Sequence, residues 1–400
     1  MTDTAIVHRA STNDAGRSRA QAEVAATGSA ALTQLTAIAA DQWQDLSERA
    51  IEPNGYYLPD WELAVNASAP DRTGVSALAA WDDPAQTRLT GLLPVVPLSR
   101  VFNIPLPALV SAHPYGTLCT PLLDRDGAEQ ALADMMQAAR RAEARALILR
   151  EVSLEGDAMA VVTKVSQEQE LRPRLLQSHC RASLDATRGA DALLREALGA
   201  KKLKELRRQR HRLDELGTVS FEVARSREDV AAAIEVFLDL EACGWKGRRG
   251  TALIQVPGDA VFIRRATAAL AAKGQCEIVT LRSGESPLAA GIVLRHQNRA
   301  FFFKIGVDER FAKFSPGVQL TLELTRHLCA DPKIASADST ASPDHPMINP
   351  IWRDRFAVGD MLIPLRRNDP VVGLIHAALR LRQTALVVAR RGMRSLRGRR

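Results

Sequence analysis

The chain has 400 residues, of which 46% are hydrophobic, and a formal net charge of +7. This length exceeds one ordinary domain and suits two domains of roughly 150 to 200 residues, each with its own core. The five cysteines are widely separated and form no CxxC pair or His/Cys cluster, which excludes a zinc-ribbon type of protein. We therefore expect reduced thiols and no metal site.

The positive charge is confined to the C-terminal segment. Residues 366–400 hold ten arginines and one aspartate, a net charge of +9, which leaves −2 for residues 1–365. A nearly neutral body does not favour nucleic acid as a partner. The N-terminus has no apolar export segment, and no apolar run reaches the length of a membrane span, so the cytoplasm is the expected location.

The first half of the chain begins with a segment that lacks hydrophobic periodicity. Residues 1–28 are therefore predicted to be a disordered leader. An aromatic cluster, Tyr56, Tyr57 and Trp61, is assigned to the core rather than to a ligand site. The regular elements predicted in this half are a helix at 32–50, strands at 75–81 and 89–98, a helix at 127–143 and a strand at 147–152.

The second half repeats this order of elements. It is predicted to contain a hairpin of strands at 276–281 and 288–295, a strand at 301–307, a helix at 316–328 and a closing strand at 334–338. Both halves thus run hairpin, strand, helix, strand. This indicates an α/β fold made of two related domains in tandem, with mixed, mostly antiparallel sheets flanked by helices. We place these domains at 29–188 and 217–365.

Two basic segments adjoin the second domain. The first, at 189–216, is predicted to be a linking helix whose charges are either solvated or in contact with phosphate groups. The second, the tail at 366–400, contains a basic amphipathic pattern at 371–400. Such a helix suits peripheral contact with an anionic membrane, at the inner face of the membrane; packing on the body and disorder are the alternatives.

The segment 299–328 carries the clearest ligand signal. The run Phe301–Val307 predicts a buried strand, and Ser315-Pro316-Gly317 predicts the start of a helix, with the Ser315 hydroxyl able to cap free amides. A helix N-terminus presents unpaired N–H groups and the positive end of a dipole, which suit a phosphate or pyrophosphate. A helix cap without a ligand is the alternative.

The segments LEACGWKGRRGTAL and FSPGVQLTLELTRHL, with the hairpin between them, resemble the CelD-like branch of the GNAT acetyltransferases. The resemblance covers residues 193–365. It implies a GNAT fold, acetyl-CoA or another acyl-CoA as donor, and a small-molecule, sugar or lipid acceptor, possibly within exopolysaccharide or envelope biosynthesis. It also maps the pyrophosphate of coenzyme A onto a turn made of Phe314, Ser315, Pro316, Gly317 and Val318.

The sequence departs from the common GNAT pattern at two points. The turn lacks the glycine-rich form, and all three tyrosines, Tyr56, Tyr57 and Tyr115, lie in the first half. The acid that protonates the leaving thiolate must then come from the first domain, be another group, or be unnecessary.

Candidate catalytic residues follow the closing strand, because the end of that strand borders the ligand crevice of an α/β sheet. His345 is the first candidate for the general base, with Asp338 orienting it, and Glu241 is the alternative base. A structural histidine and a solvent-facing carboxylate are the ordinary interpretations. The residues expected to contact the substrate are Trp245, Lys246 and Asn349.

The predicted function is an acyl-CoA-dependent N- or O-acyltransferase. Direct attack within a ternary complex is expected, because no cysteine lies in a recognisable nucleophile setting. Two alternatives remain open. One is a FemAB-like transferase that uses aminoacyl-tRNA, in which residues 201–212 contact RNA; the other is a non-catalytic scaffold of polysaccharide assembly.

Overall fold

The computed structural model describes residues 32–397; the predicted leader at 1–28 and the end of the basic tail lie outside this range. In the first half the elements are β1 (Thr33–Gln34), α1 (Ala40–Arg49), α2 (Pro59–Ser68), β2 (Ser76–Trp81), β3 (Leu89–Pro97), α3 (Leu98–Phe102), β4 (Ala108–Ser111), β5 (Leu122–Leu123), α4 (Ala128–Arg141), β6 (Ala146–Ser153), α5 (Asp157–Glu168) and β7 (Arg174–Asp185).

The second half begins with the long basic helix. Its elements are α6 (Ala190–Asp214), β8 (Val219–Ala224), α7 (Arg227–Cys243), α8 (Trp245–Arg248), α9 (Pro257–Ala272), β9 (Cys276–Ser283), β10 (Ser286–His296), β11 (Arg299–Val307), α10 (Pro316–Cys329), β12 (Ser336–Asp338), β13 (Asp354–Pro364) and α11 (Pro370–Arg397). The helix predicted from residue 32 is wrong at its start. Residues 33–34 pair with β2 instead, and α1 begins only at Ala40.

All thirteen strands belong to one continuous sheet in the order β1-β2-β3-β4-β6-β13-β7-β12-β11-β10-β9-β8, with β5 beside β3. The pairs β4/β6 and β11/β12 are parallel, and the other pairs are antiparallel. Each half therefore contributes a hairpin, a third strand, a helix and a parallel fourth strand. The predicted α/β class with a mixed, mostly antiparallel sheet is confirmed.

The two halves exchange one strand. β7 follows the first half in the chain but pairs with β12 of the second half. β13 follows the second half but pairs with β6 of the first half. The two exchanged strands also pair with each other, from Asp354 opposite Ser183 to Leu362 opposite Arg174. The sheet of each half is thus completed by a strand from the other.

A buried ion pair lies beside these exchanged strands. Arg181 on β7 donates from Nε to Oδ1 of Asp338 on β12 at 2.7 Å, and both side chains are only 1% exposed. The same guanidinium donates from Nη1 to the carbonyl of Thr117 at 2.7 Å and stacks on the ring of Phe356 on β13. Arg181 therefore connects segments from both halves.

The predicted aromatic cluster packs between the two halves. Tyr56 and Trp61 are fully buried, and their rings lie 5.6 Å from Phe301 and 5.0 Å from Phe262 respectively. The Trp61 indole also donates to the carbonyl of Pro114 at 2.6 Å. The assignment of this cluster to the core is confirmed.

His296, at the end of β10, makes a second polar link between the halves. Its Nδ1 accepts a hydrogen bond from the backbone N–H of Asn54 at 2.8 Å, and its Nε2 lies 2.8 Å from the carbonyl of Ser47. Since a carbonyl can only accept, Nε2 carries the proton and the ring is neutral. Burial lowers the pKa of His296 from 6.5 to about 4.

Replacing Asp338 with asparagine should lower the free energy of unfolding by about 3 to 5 kcal/mol, because Arg181 would remain buried without its counter-charge. Urea denaturation followed by circular dichroism measures this difference. The double variant Arg181→Met/Asp338→Leu should recover much of the loss, since it removes both charges together. A single variant as stable as the wild type would contradict this account of the ion pair.

His296 should make the protein less stable in acid. The native state keeps this ring neutral down to about pH 4, whereas the unfolded chain binds the proton below about pH 6.5. Stability should therefore fall between these values as the pH is lowered, by about 1.4 kcal/mol per pH unit for this group. His296→Gln should reduce that slope, measured by denaturation at several pH values. His211→Gln on the exposed face of α6 is the control; an equal reduction there would refute the assignment.

Candidate active site

A groove opens where β11 and β12 separate. The two strands pair for only three residues, from Arg299 opposite Ser336 to Phe301 opposite Asp338. β11 then continues to Val307, whereas the chain after β12 turns away. Residues of β11, of the α7–α8 junction and of the 339–348 loop line the resulting cavity, which has a volume of about 280 Å³.

Close packing of α7 on β11 places a carboxylate in this groove. A Cβ atom at Gly306 would lie 2.9 Å from the backbone nitrogen of Glu241, so only glycine lets the helix approach this closely. The Glu241 side chain is 1% exposed. Its Oε2 accepts from the N–H of Leu253 at 2.8 Å, which fixes the carboxylate at the helix end.

Two lysines surround Glu241. The ammonium of Lys246 donates to Oε1 at 2.7 Å, and that of Lys304 lies 3.6 Å from the same oxygen. Burial raises the Glu241 pKa, but the charges of Lys304 and Lys246 outweigh it, and the net pKa is lowered. Burial lowers the pKa of Lys304 despite its attraction to Glu241. Glu241 is therefore ionised at neutral pH, and Lys304 gives up its proton more readily than an ordinary lysine.

His345 lies in the loop that forms the other wall of the groove. Its Nδ1 accepts from the N–H of Ile348 at 3.4 Å. Burial, together with the charge of Lys246, lowers the pKa of His345, so the ring is neutral at neutral pH. A neutral imidazole beside a cavity can accept a proton from a bound molecule.

The groove brings together four of the predicted site residues: Glu241, Trp245, Lys246 and His345. Asp338 is not paired with His345. Its oxygens accept from Arg181 and from the N–H of Thr340, so the expected orienting contact is not formed. Asn349 does not line the groove either; its amide donates to the carbonyl of Pro343 within its own loop.

The predicted anion turn, residues 314–318, lies behind the wall of the groove. α10 begins at Pro316 as predicted, but Ser315 does not cap it. Ser315 has a left-handed backbone, with φ at +54°, whereas a capping serine has extended backbone angles that direct its hydroxyl at the free amides. A Cβ atom at Gly317 would lie 2.8 Å from Sδ of Met347, a residue that lines the groove.

Sequence reasoning missed Lys304. It is the only charged residue in the apolar run from Ala300 to Val307, and that isolation was an available signal. Tyr115 is the residue of the first half that approaches the groove, because its ring centroid lies 5.8 Å from Nζ of Lys304. Its hydroxyl donates to Asp259, and burial raises its pKa, so it stays protonated.

The corresponding place in the first half is filled. β4 and β6 also pair in parallel for three residues, from Ala108 opposite Ala146 to Val110 opposite Ile148. Beyond that point the N–H of Cys119 bonds to the carbonyl of Glu151 at 3.1 Å, and Thr120 accepts from the N–H of Ser153. The chain itself therefore occupies the edge of β6 that corresponds to the groove.

No three metal-ligating side chains come together within residues 32–397. Among the helices of the same range, none is both long and apolar enough to cross a bilayer.

Comparison with known structures supports the fold. The chain is similar to the C-terminal DUF2156 domain assigned to a lysylphosphatidylglycerol synthetase of Agrobacterium fabrum, with 14% identity, a TM-score of 0.50, and coverage of 85% of this chain and 95% of that one. It is also similar to FemX, with 11% identity, a TM-score of 0.55, and coverage of 85% and 98%. A third similar structure, a protein of unknown function from Bacteroides thetaiotaomicron, has 11% identity, a TM-score of 0.51, and coverage of 82% and 98%.

Comparison of sequences identifies one domain. No curated protein matches the chain. Residues 200–344, which contain the groove apart from its last four positions, match the acetyltransferase (GNAT) domain family. The likeness to the CelD-like branch stays a resemblance. The chain therefore carries a GNAT acetyltransferase domain within a tandem GNAT-like fold, and its enzyme class is that of the acyltransferases.

Proposed function

We propose that the chain transfers an acyl group, in the simplest case acetyl, from coenzyme A to an amine or hydroxyl of a small molecule, sugar or lipid precursor. The observation that carries this proposal is the open groove between β11 and β12 in the matched domain. From Phe303 onward β11 has a strand partner on one side only. An extended ligand with amide groups, such as the pantetheine arm of coenzyme A, can pair with that free edge as an added strand would.

The groups in the groove suit direct transfer. The acceptor nitrogen or oxygen attacks the thioester carbon, a new C–N or C–O bond forms, the C–S bond breaks, and the acceptor loses a proton. His345 is our candidate for the base that takes this proton, because it is neutral. Lys304 offers a positive charge where the carbonyl oxygen or the thiolate becomes negative. Glu241, whose pKa is lowered, is the weaker candidate base, and we assign it to holding the two lysines.

We place the pyrophosphate of coenzyme A at residues 314–318, beyond the pantetheine groove. Gly317 and Val318 lie in the first turn of α10, where amides have no helical partner and the dipole is positive. Met347 packs against Gly317, so its flexible side chain must shift for the phosphates to reach these amides. Trp245 is half exposed at the edge of the groove and, with Lys246, is our candidate for substrate contact.

The acceptor and the site of action are less constrained. Val372 and Ile375 dock the start of α11 on the body, whereas Leu374 and Leu381 are 60% and 73% exposed beside arginines. These exposed leucines support a peripheral position at the inner face of an anionic membrane, and with it a lipid or envelope acceptor. A vesicle-pelleting assay on a chain that ends at Leu365 tests this position.

The aminoacyl-tRNA alternative keeps one supporting observation. On α6, Leu206 and Leu213 are buried, and the basic residues Lys201, Lys202, Lys204, Arg207 and Arg208 are exposed. Such a face can contact phosphates. If tRNA binds tightly in a salt-dependent manner and acetyl-CoA does not bind, this alternative replaces the acyl-CoA function.

Filling the groove should abolish donor binding. Ala341 lines the groove, so Ala341→Trp should reduce acetyl-CoA affinity by at least about tenfold, measured by isothermal titration calorimetry. Ser342→Trp is the matched control, because Ser342 is the next residue and is exposed. Equal affinity in both variants, or no binding by the wild type, would sink the assignment of the groove.

Activity should be lost in acid. Only neutral His345 can accept a proton, so the rate should fall as the pH drops through its lowered pKa, below 6.5. His345→Gln should lower kcat by about 100-fold or more. Release of the coenzyme A thiol with a panel of amine and sugar acceptors gives the rate. Glu241→Gln should be slower but keep the acid limb; if that limb disappears in Glu241→Gln instead, Glu241 is the base.

A further inference from the structure

A second cavity in the first half is surrounded by positive charge. It has a volume of about 280 Å³ and lies between the segment after α2, helix α3 and the ends of β4 and β6. Its polar lining consists of three arginines, one histidine and one aspartate: Arg72, Arg100, Arg150, His113 and Asp71. The function proposed above does not use any of these residues.

The three arginines have no carboxylate partner within ion-pair distance among residues 32–397. Arg72 donates to the carbonyl of His113 at 3.3 Å, and Arg100 donates to that of Thr73 at 2.6 Å. Nε of Arg150 is buried and has no hydrogen-bond partner in the same range. Asp71 is exposed and pairs with none of them. Three guanidinium charges thus converge on one pocket without compensation, which is costly unless an anion is bound.

His113 adds an unsatisfied polar atom to the pocket. Its Nδ1 is buried and makes no hydrogen bond to the described part of the chain. Burial, reinforced by the charges of Arg72 and Arg150, lowers the pKa of His113 to about 3. The ring is therefore neutral. Buried polar atoms are rarely left without a partner, so a ligand atom is a natural partner for Nδ1.

We infer that this pocket binds the phosphate group of a small molecule. Guanidinium groups present paired N–H donors in a planar fork that matches phosphate oxygens, and several such forks can share one phosphate. The pocket also adjoins the acyl groove, since Cζ of Arg72 lies 4.8 Å from the Tyr115 ring centroid and Lys304 approaches the same ring at 5.8 Å. The inference does not depend on the acyl-CoA function, because it rests on the arginines and His113 alone.

Calorimetry with inorganic phosphate tests the site on the full chain. The wild type should bind phosphate and melt at a higher temperature in its presence. Arg150→Gln and Arg72→Gln should each weaken phosphate binding by at least about tenfold, the loss expected for one charge-assisted contact. The matched control is Arg141→Gln, because Arg141 is exposed at the end of α4 and outside the pocket. It should bind phosphate as the wild type does.

Acetate provides the second arm of the test, because it carries a negative charge but lacks the tetrahedral set of oxygens. Binding of phosphate that is clearly tighter than binding of acetate supports the inference. Three results would overturn it: no heat and no melting shift with phosphate, equal affinity for acetate, or unchanged affinity in both pocket variants. Melting without ligand shows whether each variant is folded, and the two arginine variants give independent answers if one of them is not.

Discussion

The fold depends on the pairing of β7 with β13 at the centre of the sheet. Each of these strands leaves the half of the chain that precedes it and completes the sheet of the other half. The Arg181–Asp338 pair lies beside them, and Asp338 is the last residue of β12 before the groove opens. The interaction that closes the sheet therefore also fixes the point at which β11 loses its neighbour. Structure and candidate site share one constraint.

The two halves use the same strand order for different purposes. Between β4 and α4 the chain has a long loop, which folds back onto β6 through Cys119 and Thr120. Between β11 and α10 the connection is much shorter, and nothing from the described chain covers the edge of β11. The long loop also carries Tyr115 to Lys304. Closing the groove in the first half thus delivers a side chain to the open groove in the second half.

Local pattern explains what the sequence could predict. The hairpins, β11 and α10 have apolar periods of their own, and Glu241, Trp245, Lys246 and His345 converge because their segments adjoin the same strand end. β7 and β13 were not predicted, because β7 is polar and mostly exposed over its first two thirds and both strands are defined by a distant partner. The Asp338 partner was missed for the same reason. It lies 157 positions away, on β7, and no local spacing indicates it.

Charge balance separates the two cavities by chemical task. In the groove, Lys246 and Lys304 already share the Glu241 carboxylate, so the empty site is nearly balanced and suits a neutral thioester whose charge develops only during transfer. In the first-half pocket, guanidinium charges converge without a carboxylate partner among residues 32–397, which suits a ligand that arrives with its charge. Tyr115 touches a cation of each site, Lys304 and Arg72. A molecule bound by its phosphate in the pocket would therefore lie next to the residues that carry out transfer.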